Sequence, residues 1–267
     1  MYQYRLEGVA KEFGRSQVAV SDISLEVKSG ERVALIGPSG AGKTTLFRML
    51  NCTLRPSSGQ LWINGDDTCA LYGSRLREVR RKIGTIYQQH NLVPRLKVVH
   101  NVLCGQLGHW SLARSIASLV RPVGIETAYE ALKNVGIEDK IFSRTDELSG
   151  GQQQRVAIAR VLVQNPEVIL ADEPVSSVDP SLASSIVKLL VEISQNRQKT
   201  LMVNLHSMEL ALSNFPRIIG IKNGRALFDL SPDQVSDNLL EELYSGHLPD
   251  NGQEESPARR HTLRVCS

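Results

Sequence analysis

Nine residues, Gly37-Pro38-Ser39-Gly40-Ala41-Gly42-Lys43-Thr44-Thr45, place three glycines ahead of a lysine and two hydroxyls. That combination suits phosphate. Glycines let the backbone curl until successive N–H groups point inward at phosphate oxygens. Lys43 offers a point charge to the β- and γ-phosphates, and the Thr44 hydroxyl offers a ligand to Mg²⁺. The flanks suit the same chemistry. Arg32-Val-Ala-Leu-Ile36 reads as a short buried strand and Thr44-Thr-Leu-Phe-Arg-Met-Leu50 as a helix. A helix starting at the loop adds unpaired N–H groups and the positive end of its dipole.

A second group of reactive residues lies downstream. The apolar run Val168-Ile-Leu-Ala171 ends on Asp172 and Glu173. Two acids closing a buried strand require compensation, and a bound cation supplies it. Asp172 is expected to hold the metal, directly or through water, and Glu173 to orient or deprotonate an attacking water. His206 follows the strand-like Thr200-Leu-Met-Val-Asn-Leu205. Between these groups lies Leu148-Ser-Gly-Gly-Gln152, running into a helical pattern. Ser149, Gly150 and Gly151 read as a second helix N-terminus able to hold an anion.

With these motifs on the page, the chain from about Tyr4 to Gly246 resembles the ATP-binding cassette family, the ATPase subunits of membrane transporters. The resemblance implies an α/β P-loop NTPase (RecA-like) core with an N-terminal antiparallel β-subdomain and an inserted α-helical subdomain. It implies ATP and Mg²⁺ as ligands and ATP hydrolysis as the activity. The implied ATP-binding set is Phe13, which stacks on adenine, Gly37 to Thr45, Gln88, Ser149, Gly150, Gly151, Gln152 and Asp179. Catalytic roles fall on Glu173, Lys43 and His206, and Mg²⁺ ligation on Thr44, Gln88 and Asp172. Ser176-Ser-Val-Asp179 matches the loop that crosses the dimer interface, with Val178 where leucine is usual. Each chain has one copy of every motif, so the resemblance implies a head-to-tail homodimer, with ATP between the phosphate loop of one subunit and Ser149–Gln152 of the other. It also implies integral membrane permease subunits, a periplasmic or extracellular binding protein, and a peripheral location on the cytoplasmic face of the cell membrane.

Three stretches narrow the resemblance to bacterial phosphonate importers: Asn101–Gly108 with Trp110 and Arg114, Val203–His206 with Arg217–Gly220, and Phe228-Asp229 with Glu242–Gly246. The implied solute is a phosphonate, or the related phosphite or phosphate. An importer of another small solute and a non-transport cassette ATPase stay open as alternatives. Cys104, where a small residue such as alanine is usual, is a departure that touches no phosphate.

The positioning elements follow from patterning. Residues 1 to about 30 alternate apolar and polar, as in Asp22-Ile-Ser-Leu-Glu-Val27, and predict half-buried antiparallel strands. Gln60–Gly65 reads as a further strand. From about 89 to 163 the pattern is helical, and from 168 strands alternate with helices to about 230. Leu182, Ile186, Leu189, Leu190 and Ile193 recur at helical spacing. The expected division is one ATPase domain over 1–246, its core at about 1–88 and 164–230 and its helical subdomain at about 89–163, then a disordered tail over 247–267. Arg75, Arg77, Arg80, Arg81 and Lys82 read as a solvated helix face, with an acidic partner as the alternative. Gly108 to Val120 reads either as local packing or as an amphipathic surface for a permease. A net charge of +3 is too small to argue for nucleic acid. No apolar run reaches the length of a membrane span, and Met1–Arg5 shows no signal-peptide core. Cys52, Cys69, Cys104 and Cys266 have no metal-ligand spacing and read as reduced structural thiols.

Overall fold

The computed structural model describes residues 2–14, 17–176 and 178–245. The expectations for Ser177, Cys266 and the tail after Gly246 lie outside the described residues. In chain order the first half comprises β1 (Tyr2–Phe13), β2 (Gln17–Lys28), β3 (Arg32–Ile36), α1 (Lys43–Leu50), β4 (Ser58–Ile63), β5 (Asp66–Asp67), α2 (Gly73–Arg81), β6 (Ile83–Ile86), α3 (Val98–Leu103), α4 (Leu112–Val120) and α5 (Ile125–Asn134). The second half comprises α6 (Gly150–Gln164), β7 (Val168–Asp172), α7 (Pro180–Asn196), β8 (Thr200–Asn204), α8 (Met208–Asn214), β9 (Arg217–Lys222), β10 (Arg225–Leu230) and α9 (Asp237–Tyr244).

Two sheets carry the fold. One is antiparallel in the order β2-β1-β4-β5; the other runs β10-β9-β3-β8-β7-β6. In the second, β9, β3, β8, β7 and β6 are parallel and β10 pairs antiparallel at the edge. The central strands are buried on both faces, as parallel strands covered on both sides must be. Strict alternation sends their side chains to two cores. Val33, Leu35, Leu170, Met202 and Ile219 meet the antiparallel sheet and α1. Ala34, Ile36, Ala171, Leu201 and Val203 meet α3, α5, α6 and α7. Among the described residues the elements between β6 and β7 are all helical, joined by turns and one isolated antiparallel bridge between Lys97 and Arg144.

The predicted strands and helices recur with shifted ends. Helix α1 begins at Lys43 rather than Thr44, because Gly42 takes the left-handed φ of 101° and delivers its neighbour into the first turn. The helical stretch starts at Val98, after a series of turns in which His90 and Asn91 adopt positive φ. The strands do not alternate with helices as far as 230. β9 and β10 form a hairpin on Asn223 and Gly224, whose φ of 49° and 76° suit the twist of two antiparallel strands. That Asn-Gly pair is the signal that a helix-first reading overlooks. The arginines of the basic run are exposed, as a solvated face requires, yet two of them are also engaged. Arg75 pairs with Asp66 at 2.9 Å and Arg80 donates to the Cys52 carbonyl at 2.6 Å. Arg77, Arg80 and Arg81 instead line a cavity of about 700 Å³ together with Gly105, Trp110 and Arg160. Among the described cysteines, Cys52 is buried, Cys69 exposed and Cys104 half-buried, and all are free thiols.

Candidate active site

The phosphate loop is set by its neighbours. A methyl group on Gly37 would lie 2.0 Å from the Ile221 carbonyl oxygen, and one on Gly42 2.2 Å from that of Ala19. Only glycine fits between these backbones, and both residues have positive φ. Lys43 folds back over the loop and donates to the carbonyls of Gly37 at 2.6 Å and Pro38 at 2.9 Å. It is only 4% exposed. Burial lowers its pKa from the ordinary lysine value, while the charges of Glu173 and Asp172 oppose that shift. Ser39, Gly40 and Thr44 remain at the open rim.

Parallel pairing brings the acids to the same edge. Asp172 ends β7 in register with Asn204 at the end of β8, and β8 in turn lies beside β3, which feeds the loop. Asp172 Oδ1 accepts from the Thr44 hydroxyl at 3.3 Å and from Asn204 Nδ2 at 2.7 Å. Glu173 takes a left-handed φ of 51°, strain of a kind that tends to collect at functional sites. Its N–H donates to the Asn204 carbonyl at 3.2 Å, and its Oε1 lies 2.6 Å from His206 Nε2. Glu173 and His206 open into a cavity of about 550 Å³ bounded by Val178, Pro180, Ser184 and Ser207.

Asn204 is the site residue that sequence reasoning missed. Its side chain holds Asp172 and its backbone holds Glu173, two residues before His206. The signal was available: one amide side chain inside an otherwise apolar buried strand. Its Oδ1 is buried and, among the described residues, has no partner. This orphan acceptor, the buried carboxylate and the Thr44 hydroxyl suit a hard cation with oxygen ligands. Among the described residues no three His, Cys, Asp or Glu side chains are placed to hold a metal ion between them. The site therefore fits Mg²⁺, which keeps several waters and takes few protein ligands, better than an all-protein cage.

Burial raises the Asp172 pKa above its ordinary value, with hydrogen bonds from Asn204 and Thr44 and the charge on Lys43 opposing. Stability from a protonated Asp172 is complete below the unfolded carboxyl range and is lost as pH rises through the raised folded value. At neutral pH the buried charge is thus a cost. Asp172→Asn is expected to raise the urea midpoint of the nucleotide-free protein at pH 7, while abolishing the extra thermal stabilisation that Mg²⁺ gives beyond nucleotide alone. A lower midpoint would place the carboxylate in a compensated setting instead.

The other sequence-predicted residues stand on neighbouring elements. Gln88 is exposed, two residues past the rung that pairs Ile86 with Ala171, and so sits beside the acids at the same sheet edge. Phe13 is exposed at the end of β1, with Lys11 Nζ 5.5 Å from its ring centre. Ser149 and Gln152 cap α6 reciprocally, hydroxyl to N–H at 3.3 Å and amide oxygen to N–H at 3.0 Å. Gly151 lies under Leu182, and a methyl group there would come within 2.3 Å of its Cδ2. Asp179 caps α7, accepting from Leu182 N–H at 3.0 Å and from the Ser181 hydroxyl at 2.6 Å, contacts that lower its pKa. Among the described residues no hydrogen bond joins Ser149–Gln152 or Asp179 to the phosphate loop. The chain thus has two separate glycine-bearing helix starts, one beside acids and a histidine, the other exposed at Ser149 and Gly150.

The family model described as ABC transporter matches residues 20–176. The phosphonates import ATP-binding protein PhnC 2 of Pseudomonas aeruginosa (strain UCBPP-PA14) is 48% identical over 240 residues, covering 90% of both chains. PhnC of Nitratidesulfovibrio vulgaris is 42% identical, covering 90% of this chain and 91% of its own. Among solved structures, the dimeric post-hydrolysis state of the ATP-binding cassette MJ0796 bound to ADP and Pi is 32% identical with a TM-score of 0.73, covering 86% of this chain and 98% of that one. CbiO1 of Clostridium perfringens, part of the complex cbiONQ, is 29% identical with a TM-score of 0.76, covering 93% and 96%. Loop, acid pair, histidine and exposed second helix start occur here in a chain matched across nine-tenths of its length, and the protein belongs to the ABC transporter family.

Proposed function

We propose that the chain is the ATP-binding and ATP-hydrolysing subunit of a phosphonate importer. The observation that carries the enzymatic part is the convergence of Lys43, Thr44, Asp172, Glu173 and His206 at one edge of a parallel sheet. Lys43 would exchange its two loop carbonyls for β- and γ-phosphate oxygens. Thr44 and Asp172, with Gln88, would hold Mg²⁺, which when bound neutralises the charge on the phosphates. Glu173 would take a proton from the water that attacks the γ-phosphorus as the β–γ bond breaks. His206 would hold that carboxylate in place and meet the γ-phosphate. Phe13 would stack on adenine.

The exposed Ser149–Gly151 start would close over the nucleotide of a second protomer, with Asp179 at the same junction, so the working unit is a homodimer. We place the helical insertion at about 89–163 as a subdomain that moves as the dimer closes. The cavity between α2, α6 and the Gly105–Trp110 segment is concave, and Tyr87 and Asn91 on its wall flank Gln88. It suits a short acidic segment of a permease, whose insertion would be felt at Gln88. No described helix is long and apolar enough to cross a membrane. In this reading the chain is attached through permease subunits on the cytoplasmic face. A periplasmic or extracellular binding protein would deliver the solute.

The test is reconstitution with the partner permease in proteoliposomes. ATP turnover should rise when a phosphonate and its binding protein are supplied, and more than with phosphite or phosphate. Equal response to all three anions would remove phosphonate as the solute. Absence of turnover in every arrangement would remove the enzymatic reading.

A further inference from the structure

Helix α4 is packed inside out. Its one buried residue is Ser118, whose Oγ accepts from the Val123 N–H at 3.3 Å. Leu112, Ile116, Leu119 and Val120 are 77, 56, 58 and 87% exposed. These positions recur at i, i+4, i+7 and i+8, a single stripe that an ordinary surface helix would turn toward the core. Ser111 caps the helix, accepting from Arg114 N–H at 3.4 Å, so the element has its own start signal. Neighbouring Trp110 does pack on the core. Local packing therefore accounts for Trp110 and, among the described residues, leaves the stripe without a partner, and a contiguous apolar patch of this kind marks an interaction surface.

The charge around the stripe is one-sided. Between residues 79 and 125 there is no Asp or Glu, while Arg80, Arg81, Lys82, Arg95, Lys97, Arg114 and Arg121 fall there. The whole chain carries only +3, so cationic character is concentrated in this segment. Two of the cations border the start of the helix: the Arg114 guanidinium lies 4.9 Å from the Trp110 ring centre, and the Arg81 side chain packs against Gly108. An apolar stripe with arginines on the opposite, polar face is the pattern of a helix that lies in a membrane interface.

We propose that α4 docks on the anionic leaflet of a lipid bilayer, its stripe at the boundary of headgroups and acyl chains and Arg114 and Arg121 at the level of the lipid phosphates. This rests on the reading of the chain as a peripheral subunit beside a membrane. Two features favour lipid over a permease loop. The stripe is convex, and a bilayer needs no shaped cavity to receive it. The acidic permease segment proposed above fits the concave cavity, whereas along the convex stripe an average cytoplasmic loop, rich in Lys and Arg, would meet like charge and anionic lipid meets opposite charge.

The experiment sediments the full chain with vesicles of phosphatidylcholine alone or of phosphatidylcholine and phosphatidylglycerol in equal parts. Partition should be about tenfold stronger into the anionic vesicles and weaker at high salt. The double variant Ile116→Glu, Leu119→Glu should lower it by about tenfold or more. Neither residue belongs to the nucleotide site, so the variant should keep the thermal shift induced by MgATP, which reports an intact fold. Ile116→Ser with Leu119→Ser gives a second reading if the charged pair unfolds the helix. No partition into anionic vesicles, or partition unchanged in variants that keep the MgATP shift, would overturn the proposal. So would variants that lose only co-purification with a permease, or only self-association. Loss of ATP turnover with vesicle binding intact would count against the enzymatic reading and leave this one standing.

Discussion

Glu173→Gln is expected to lower steady-state ATP turnover by about 10²–10⁴-fold, the usual contribution of a positioned general base, while MgATP still binds. Glutamine has the same length and shape, so the contact to His206 and the N–H bond to the Asn204 carbonyl have replacements in kind. What it lacks is a lone pair basic enough to take a proton from water. The missing negative charge also eases the approach of the phosphates, so affinity for ATP should hold or improve. In the proposed dimer, bound ATP that is not cleaved would keep two protomers bridged. Size-exclusion chromatography with MgATP should therefore show a dimer for the variant under conditions where the parent is mostly monomeric. Parent-like turnover would remove Glu173 from the chemistry.

Lys43→Ala should separate binding from stability. In the nucleotide-free protein the Lys43 ammonium is buried, and two carbonyl hydrogen bonds offset the burial. Removing charge and bonds together should move the melting temperature little. With ligand at about a hundredfold excess over its dissociation constant, linkage adds about 2.7 kcal/mol, or about 5–10 °C for a chain of this size. The alanine variant should lose nearly all of that shift, as read by thermal denaturation with and without MgATP. A full shift in the variant would mean that loop N–H groups alone hold the phosphates. A large drop in the nucleotide-free melting temperature would mean that Lys43 chiefly braces the loop.

How much of this was legible in the sequence depends on how local the physics is. The phosphate loop could be read because the positive φ of its glycines is a local demand, whereas the close approach of Ile221 and Ala19 that also requires glycine there could not. The acid pair could be read because charge at the end of an apolar run is conspicuous without coordinates. Helix α7 was visible from the spacing of Ile186, Leu190 and Ile193, all of which are buried. Asn204 escaped because its role depends on register: only pairing β7 with β8 shows that it faces Asp172. The stripe of α4 was legible as either an amphipathic surface or local packing, and the choice stayed open for a related reason. Periodicity reveals that one face is apolar, but not which way that face turns. The basic run on α2 could not be resolved either, since Arg75 and Arg80 found partners at Asp66 and Cys52, close in space but on other elements.

The phosphate loop is gripped on both flanks by main chain. Gly224 N–H donates to the Ala41 carbonyl at 2.9 Å, and Ser21 N–H donates to the Gly224 carbonyl at 2.8 Å, tying the strand of Ala19 and the turn after Ile221 into one collar. A socket cast this firmly before its guest arrives has little ordering entropy left to lose. Capture of the nucleotide by one protomer should then be fast and single-phased in stopped-flow mixing. Any slow phase should scale with protein concentration, because the clock of this machine is the meeting of two halves and not the shaping of either.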